Sequence, residues 1–208
     1  MLSVNEERKM NNIKQIEVIY DNRLVGRLAL TKEGLCAFEY SVEWIDSGFS
    51  ISPFELPLKS GVFIAKPRPF EGGFGVFDDC LPDGWGLLIL DRYLQQKSIN
   101  PRTLTLLDHL ALVGSTGRGA LEFRPDNSVI TRQDYVDFEK LALEAEQILD
   151  SDDYTGEGIE EFQDRGGSPG GARPKIFVRY DNKEWLVKFR AKRDPQSIGI
   201  DEYRYSLL

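Results

Sequence analysis

Apolar and polar residues alternate at Ile16, Val18 and Tyr20 with the period of two that marks a half-buried strand. Asp21-Asn22 then reads as a tight turn, followed by a second apolar run, Leu24 to Leu30. After a further turn near Gly34, Leu35 to Tyr40 completes a small antiparallel meander. Pro53, Pro57, Pro67, Pro69 and Pro82 break up the next stretch into loops and short extended pieces, with Val62-Phe63-Ile64 as one more strand. The period changes to 3.6 after Pro82-Asp83-Gly84, predicting a helix from Trp85 to about Lys97. A shorter helix is expected over Thr103–Leu112, ended by Gly114, and a strand over Gly119–Phe123. The amphipathic run Asp134–Leu149 predicts a helix with an acidic outer face, and Ser151–Arg165 reads as an acidic hinge. Ile176-Phe177-Val178, the Asp181-Asn182 turn and Trp185–Phe189 predict a closing β-hairpin, and Ile200 opens a last helix.

These elements give an α+β fold. It comprises a small antiparallel-sheet N-terminal subdomain over residues 13–130, followed by a partial kinase-like small lobe (β-hairpin plus helices) over 131–208. With 208 residues, 41% of them hydrophobic and 29% charged, the chain reads as an ordinary soluble protein. Its formal charge of −8 argues against direct nucleic-acid binding by the chain as a whole, although the C-terminal part is much more basic than the acidic stretch before it. Cys36 and Cys80 stand far apart and outside any Cys-x-x-Cys spacing, which reads as two thiols in a reducing compartment. The polar N-terminus carries no signal-peptide core and no run approaches membrane-span length, so a cytoplasmic location is expected.

Candidate chemistry concentrates in Gly166–Phe189. Gly166, Gly167, Gly170 and Gly171 form a glycine-rich loop before the hairpin, and glycines leave backbone N–H groups free to converge on an anion. Such clusters also occur as plain loops, and no Gly-Lys-Ser/Thr follows, so this is not a Walker A loop. Lys188 on the second strand reads either as a phosphate-reaching lysine or as an edge-strand lysine snorkelling to water. Glu202 reads either as its partner or as a solvated helix charge. The single histidine, His109, supports neither a zinc site nor a nucleophile–His–acid triad and reads as structural. Asp78, Asp79 and Asp83 are close enough to hold a metal, with turn and capping roles as the alternative.

Collinear stretches along most of the chain resemble the HipA family, the serine/threonine kinase toxins of bacterial toxin–antitoxin pairs. They are Leu24-Val25-Gly26-Arg27-Leu28, Phe54-Glu55-Leu56-Pro57-Leu58, and Phe77 to Gly86 (FDDCLPDGWG). Asp108 to Gly114 with Gly119-Ala120-Leu121, Gly167 to Lys175, and Trp185 to Phe189 with Glu202-Tyr203 complete the set. The resemblance implies ATP as substrate with magnesium. The loop residues Ser168, Gly170, Gly171, Ala172, Arg173 and Lys175 would cover the phosphates, Lys188 would contact the α/β-phosphates, and Glu202 would orient Lys188. Ser168 would be an autophosphorylation position, where added negative charge ejects the loop.

Family members continue for about as many residues again, and that half holds the catalytic aspartate and the magnesium ligands. No catalytic and no metal-binding residue is therefore assigned in this chain. The expectation is a truncated gene product, a split-gene subunit or a shortened piece, inactive alone. The alternative is a non-catalytic interaction subunit. The partners implied are a helix-turn-helix antitoxin or the missing kinase lobe, with self-association through the apolar C-terminal helix.

Overall fold

Both hairpins of the chain turn on the same chemistry. Asp21 and Asn22 adopt φ of 47° and 59°, and Asp181 and Asn182 adopt 52° and 55°. Positive φ at both central residues is the type I′ geometry, whose twist matches that of the flanking strands, and Asp and Asn tolerate it better than other side chains. The computed structural model describes residues 13–128, 136–151, 154, 156, 158–166, 171–191 and 193–208. In chain order its first elements are strands β1 (Gln15–Tyr20), β2 (Arg23–Leu30) and β3 (Cys36–Tyr40), helix α1 (Val42–Ser47), strand β4 (Val62–Ile64) and helix α2 (Gly75–Asp78). Helices α3 (Gly84–Gln96) and α4 (Leu106–Val113), strand β5 (Leu121–Arg124) and helices α5 (Phe138–Asp150) and α6 (Gly158–Gly166) follow. Strands β6 (Lys175–Tyr180) and β7 (Lys183–Lys188) and helix α7 (Ile198–Ser206) close the chain. The fold is α+β.

The chain divides into two units. The first, residues 1–82 and 97–130, holds an antiparallel sheet in the order β4-β3-β2-β1-β5. Its core follows from the register. Ile16 lies opposite Leu28 and Leu28 opposite Phe38, while Val18 lies between Phe123 and Gly26, and Gly26 lies opposite Tyr40. Residues directly opposite in a sheet share a face, so these form two adjacent apolar rows. Gly26 is required there, because a Cβ would sit 2.7 Å from the Phe38 ring and even closer to the Glu39 carbonyl. The rows pack with Trp44 of α1, Phe77 of α2, and Leu107 and Leu110 of α4 in one buried cluster. Two of its buried polar side chains, Tyr40 and Asp108, are matched. Tyr40 donates to the Leu56 carbonyl at 2.6 Å and accepts from Ile51 N–H at 3.1 Å. Asp108 closes a capping box with Thr105 and takes the Ile13 N–H at 3.1 Å.

The second unit, residues 83–96 and 131–208, holds the β6–β7 hairpin and helices α3, α5, α6 and α7. Its core is strung on aromatic contacts: Trp85 meets Phe162 edge-on at 5.1 Å, and Phe162 meets Phe189 at 5.8 Å. Leu141, Ala145 and Ile148 bury one stripe of α5, at the spacing that puts them on one helix face.

Several elements differ from the sequence reading. Helix α3 sits in the second unit, whereas a division at 130/131 assigns it to the first, because its buried Trp85 pairs with Phe162. The expected hinge contains α6, whose Ile159 and Phe162 are fully buried. The described part of α5 begins at Phe138, where the Asp137 side chain accepts from Lys140 N–H at 3.0 Å; Asp134 and Tyr135 lie outside the described residues. Helix α4 starts at Leu106, because Thr105 caps it there, and a 3-10 turn over Pro101–Thr103 precedes it. Helix α2 is a short element inside the proline-punctuated stretch that read as loops, and α1, just after β3, was not expected from the sequence. Cys36 and Cys80 are free, and burial pushes both thiols up to about 11, with the Asp79 charge adding to the effect at Cys80. Both are therefore held in the thiol form, the weaker nucleophile, at neutral pH. His109 Nδ1 lies 3.0 Å from the Thr105 carbonyl, one turn back on its own helix. Among the described residues no helix is long and apolar enough to cross a membrane.

Phe38 has no exposed surface and touches Tyr40, Phe77 and the gap left by Gly26. Phe38→Ala should cost about 3–5 kcal/mol, the usual price of an unfilled aromatic cavity. Urea unfolding followed by tryptophan fluorescence measures it; a loss below about 1 kcal/mol would contradict the packing described.

Candidate functional site

The site is built on one registration. In the β6–β7 hairpin Lys175 lies directly opposite Lys188, so the two side chains leave the same face of the ribbon. Like charges in this position repel, and the surroundings separate their fates. Lys175 is 5% exposed, and its Nζ donates to the Gly171 carbonyl at 3.3 Å. Burial pushes its ammonium below the ordinary lysine value, the Lys188 and Arg173 charges push the same way, and Asp83 opposes them. Lys188 is exposed, and its Nζ reaches Glu202 Oε2 at 3.0 Å.

Glu202 lies on α7 and serves two cations. Its second oxygen, Oε1, accepts from Arg173 Nη1 at 2.9 Å, while Arg173 Nη2 donates to Asp194 Oδ1 at 3.0 Å. Asp194 is anchored in turn by the Ala191 N–H, at 3.0 Å from Oδ2. The result is an alternating chain, Lys188–Glu202–Arg173–Asp194, lining a cleft of about 170 Å³ with Phe189 and Ile198. Each exposed pair contributes little stability. Together they hold two carboxylates and two cations in fixed directions at the root of the hairpin.

Gly171, the last glycine of the glycine-rich loop, is held on both of its peptide groups. Its N–H donates to Asp83 Oδ1 at 3.2 Å, and its carbonyl accepts from Trp85 N–H at 3.0 Å as well as from Lys175. Its φ of 97° suits glycine. Gly84, at φ 46°, also has to lack a side chain, since a Cβ would stand 2.6 Å from the Gly171 backbone.

Of the residues that sequence reasoning placed here, Gly171, Arg173, Lys175, Lys188 and Glu202 are brought together through the contacts above. Ala172 lies between Gly171 and Arg173 and makes no contact that bears on the site. Ser168 and Gly170 lie outside the described residues. Asp83 and Asp194 were missed in this role. Asp83 read as a cap or metal ligand on an element far back in the chain, and nothing but an Asp-Pro step marked Asp194. Among the described residues no group of three His, Cys, Asp or Glu side chains could hold a metal ion.

The Lys188 hydrogen bond and then its charge hold the Glu202 carboxyl below the usual glutamate value; Arg173 adds to this, while burial and Asp194 oppose it. Because the folded value is lowered, the stabilisation is present above the ordinary glutamate pKa and is lost as pH falls through the folded one. Lys188→Met should therefore raise the Glu202 pKa toward the ordinary value. A carboxyl-carbon NMR titration reads this, and an unchanged midpoint would show that the pair does not persist in solution.

Comparison with known proteins bears on these units. The sequence model of the HipA N-terminal domain matches residues 16–124, just over half of the chain. No curated protein matches. Among solved structures, the chain is similar to one from the Shewanella oneidensis MR-1 toxin–antitoxin complex of HipA, HipB and operator DNA. Identity is 19%, the match covers 85% of this chain and 38% of that one, and the TM-score is 0.47. The chain thus spans well under half the length of that relative.

Proposed function

Because the chain belongs to the HipA N-terminal domain family, we propose that it is the N-terminal portion of a HipA-like serine/threonine kinase toxin and that its second unit carries the nucleotide-phosphate site. The observation that carries this reading is the Lys188–Glu202 pair at 3.0 Å. In protein kinases a strand lysine contacts the α- and β-phosphates while a helix glutamate holds it in place. Glu202 on α7 has the position and the charge for that task. Lys175 and Arg173 add positive charge on the same side, and the backbone amides of Ala172 and Arg173, beyond the Gly171 N–H that Asp83 takes, are suited to an anion. Gly170 and Ser168 belong to the same loop by sequence, with Ser168 as the autophosphorylation position.

ATP is the substrate in this reading. Magnesium is also implied by the family, but the described carboxylates do not group to receive it, so none of them is assigned to it. No catalytic base is assigned among these 208 residues either. The chain is therefore expected to bind nucleotide weakly and to transfer no phosphate by itself, since metal ions and a positioned base carry much of that chemistry.

A second reading has its own support. Trp185, Leu186, Ile200, Tyr203, Tyr205, Leu207 and Leu208 are all exposed on or beside the hairpin and α7. Exposed apolar side chains in one region mark a protein-binding surface. In this reading the chain is an interaction subunit that docks an antitoxin, a separately encoded kinase half or a second copy of itself.

Titration calorimetry of the 208-residue chain with ATP tests the first reading. Weak binding is expected, reduced about tenfold or more by Lys188→Met, the scale of one lost charge-assisted contact to phosphate. Incubation with labelled ATP and magnesium should leave Ser168 unmodified. Binding that ignores Lys188→Met removes the site assignment, and efficient phosphorylation of Ser168 by the chain alone would place a complete catalytic apparatus within it.

A further inference from the structure

The segment Asp83-Gly84-Trp85 comes from far back in the chain and belongs to a different element from the lysines and Glu202. It makes two hydrogen bonds with Gly171, the exit of the glycine-rich loop. It grips Gly171 from both sides, with the Asp83 carboxylate on the N–H at 3.2 Å and the Trp85 N–H on the carbonyl at 3.0 Å. Gly84 lies between them with φ at 46°, and any side chain there would run into the Gly171 carbonyl carbon and oxygen at 2.6 Å. The grip spans 88 residues of sequence, so it is not a local turn. The same Gly171 carbonyl also takes Lys175 Nζ, which ties the grip to one of the two opposed lysines. Trp85 itself is buried against Phe162, so the gripping backbone is fixed by the core of its own unit.

We propose that Asp83, Gly84 and Trp85 form a clasp that sets the position of the nucleotide loop's exit. They act as positioning residues for ATP phosphate binding and do not contact the nucleotide themselves. The proposal rests on the nucleotide-site reading above. Physically, a glycine at positive φ is free to rotate unless both of its peptide groups are engaged, and a loop that must converge on phosphate gains affinity when that freedom is already removed. The Asp83 contact is charge-assisted and the Trp85 contact joins two backbone groups, so a side-chain substitution reaches only the first. The clasp also accounts for Lys175. Its buried ammonium depends on the Gly171 carbonyl, and a displaced Gly171 would leave it facing Lys188 with one acceptor fewer.

Amide hydrogen exchange and ATP titration on the full 208-residue chain test this together. Asp83→Ser keeps a good helix-capping side chain but is too short to reach the Gly171 N–H, whereas Asp83→Asn keeps an oxygen at the same reach. In Asp83→Ser, exchange at Gly171 and Trp85 should speed up roughly tenfold or more, the scale of one lost charge-assisted bond, while Val178 in the hairpin stays protected. ATP affinity should fall in the same variant by about three- to tenfold, and Asp83→Asn should restore most of both. If Asp83 only caps its helix, Asp83→Ser leaves exchange at Gly171 unchanged, and the clasp is wrong. If exchange loosens but ATP affinity holds, the clasp exists but does not position the phosphate site, and the proposal is again overturned. If the unmodified chain binds no ATP, the nucleotide-site reading fails first, and the proposal falls with it. That failure is separable, because exchange at Gly171 is read without nucleotide.

Discussion

Everything in the candidate site depends on the register of one two-stranded ribbon. The Asp181-Asn182 turn places Lys175 opposite Lys188, and the pleat then sends both lysines to one face. A slip of a single residue would put Lys188 on the other face, away from Glu202 and from the carbonyl that holds Lys175. An isolated two-stranded hairpin is marginal in water. This one is held by its apolar face, where Ile176 and Val178 are buried, and by the Phe189 N–H, which donates to the Pro174 carbonyl at 2.8 Å just beyond the last strand pair. The core that fixes the register is therefore the core that aims the lysines.

The charges around that ribbon make sense as orientation more than as stability. Lys188 and Glu202 are each roughly half exposed, and solvent screens such a pair so far that it adds little stability. What the network does is remove freedom. Glu202 cannot follow Lys188 without releasing Arg173, and Arg173 cannot move without releasing Asp194. Lys175 behaves in the opposite sense. Its lowered folded value means that the penalty for burying its charge is present at neutral pH and is relieved only as pH rises through that value toward the ordinary lysine range. A buried lysine kept at a cost thus stands opposite an exposed one held by a carboxylate.

How much of this was legible in the sequence depended on whether the signal was local. The meander, the hairpin and both Asp-Asn turns were readable because alternation and turn chemistry are encoded within a few residues. Lys188 and Glu202 were readable as a candidate pair only with a family pattern in mind; alone, each is an ordinary surface charge. Helix α6 was not readable. Its residues are mostly polar and acidic, with Ile159 and Phe162 as the buried pair, and the reason for burying them lies at Trp85 and Phe189, far away in sequence. Asp83 was invisible in its actual role for the same reason, since its partner is 88 residues distant.

The distribution of contacts also bears on what the matched family segment is. Residues 16–124 include α3, yet α3 belongs to the second unit and buries Trp85 against Phe162, outside that segment. Trp85, Ile89, Leu90 and Leu94 are each almost wholly buried, and at the rate of about 25 cal/mol per Å² their exposure would cost several kcal/mol. The matched segment taken alone would therefore expose an apolar helix face that the rest of the chain covers. Sequence similarity and folding unit do not share a boundary here. The five-stranded sheet has its own core in Phe38, Phe77, Leu107 and Leu110, whereas α3 is contributed by the matched segment to the unit that holds the hairpin. That contribution is also what brings Asp83 and Gly84 to Gly171, so the same burial that fixes the helix supplies the candidate site with its grip on the loop.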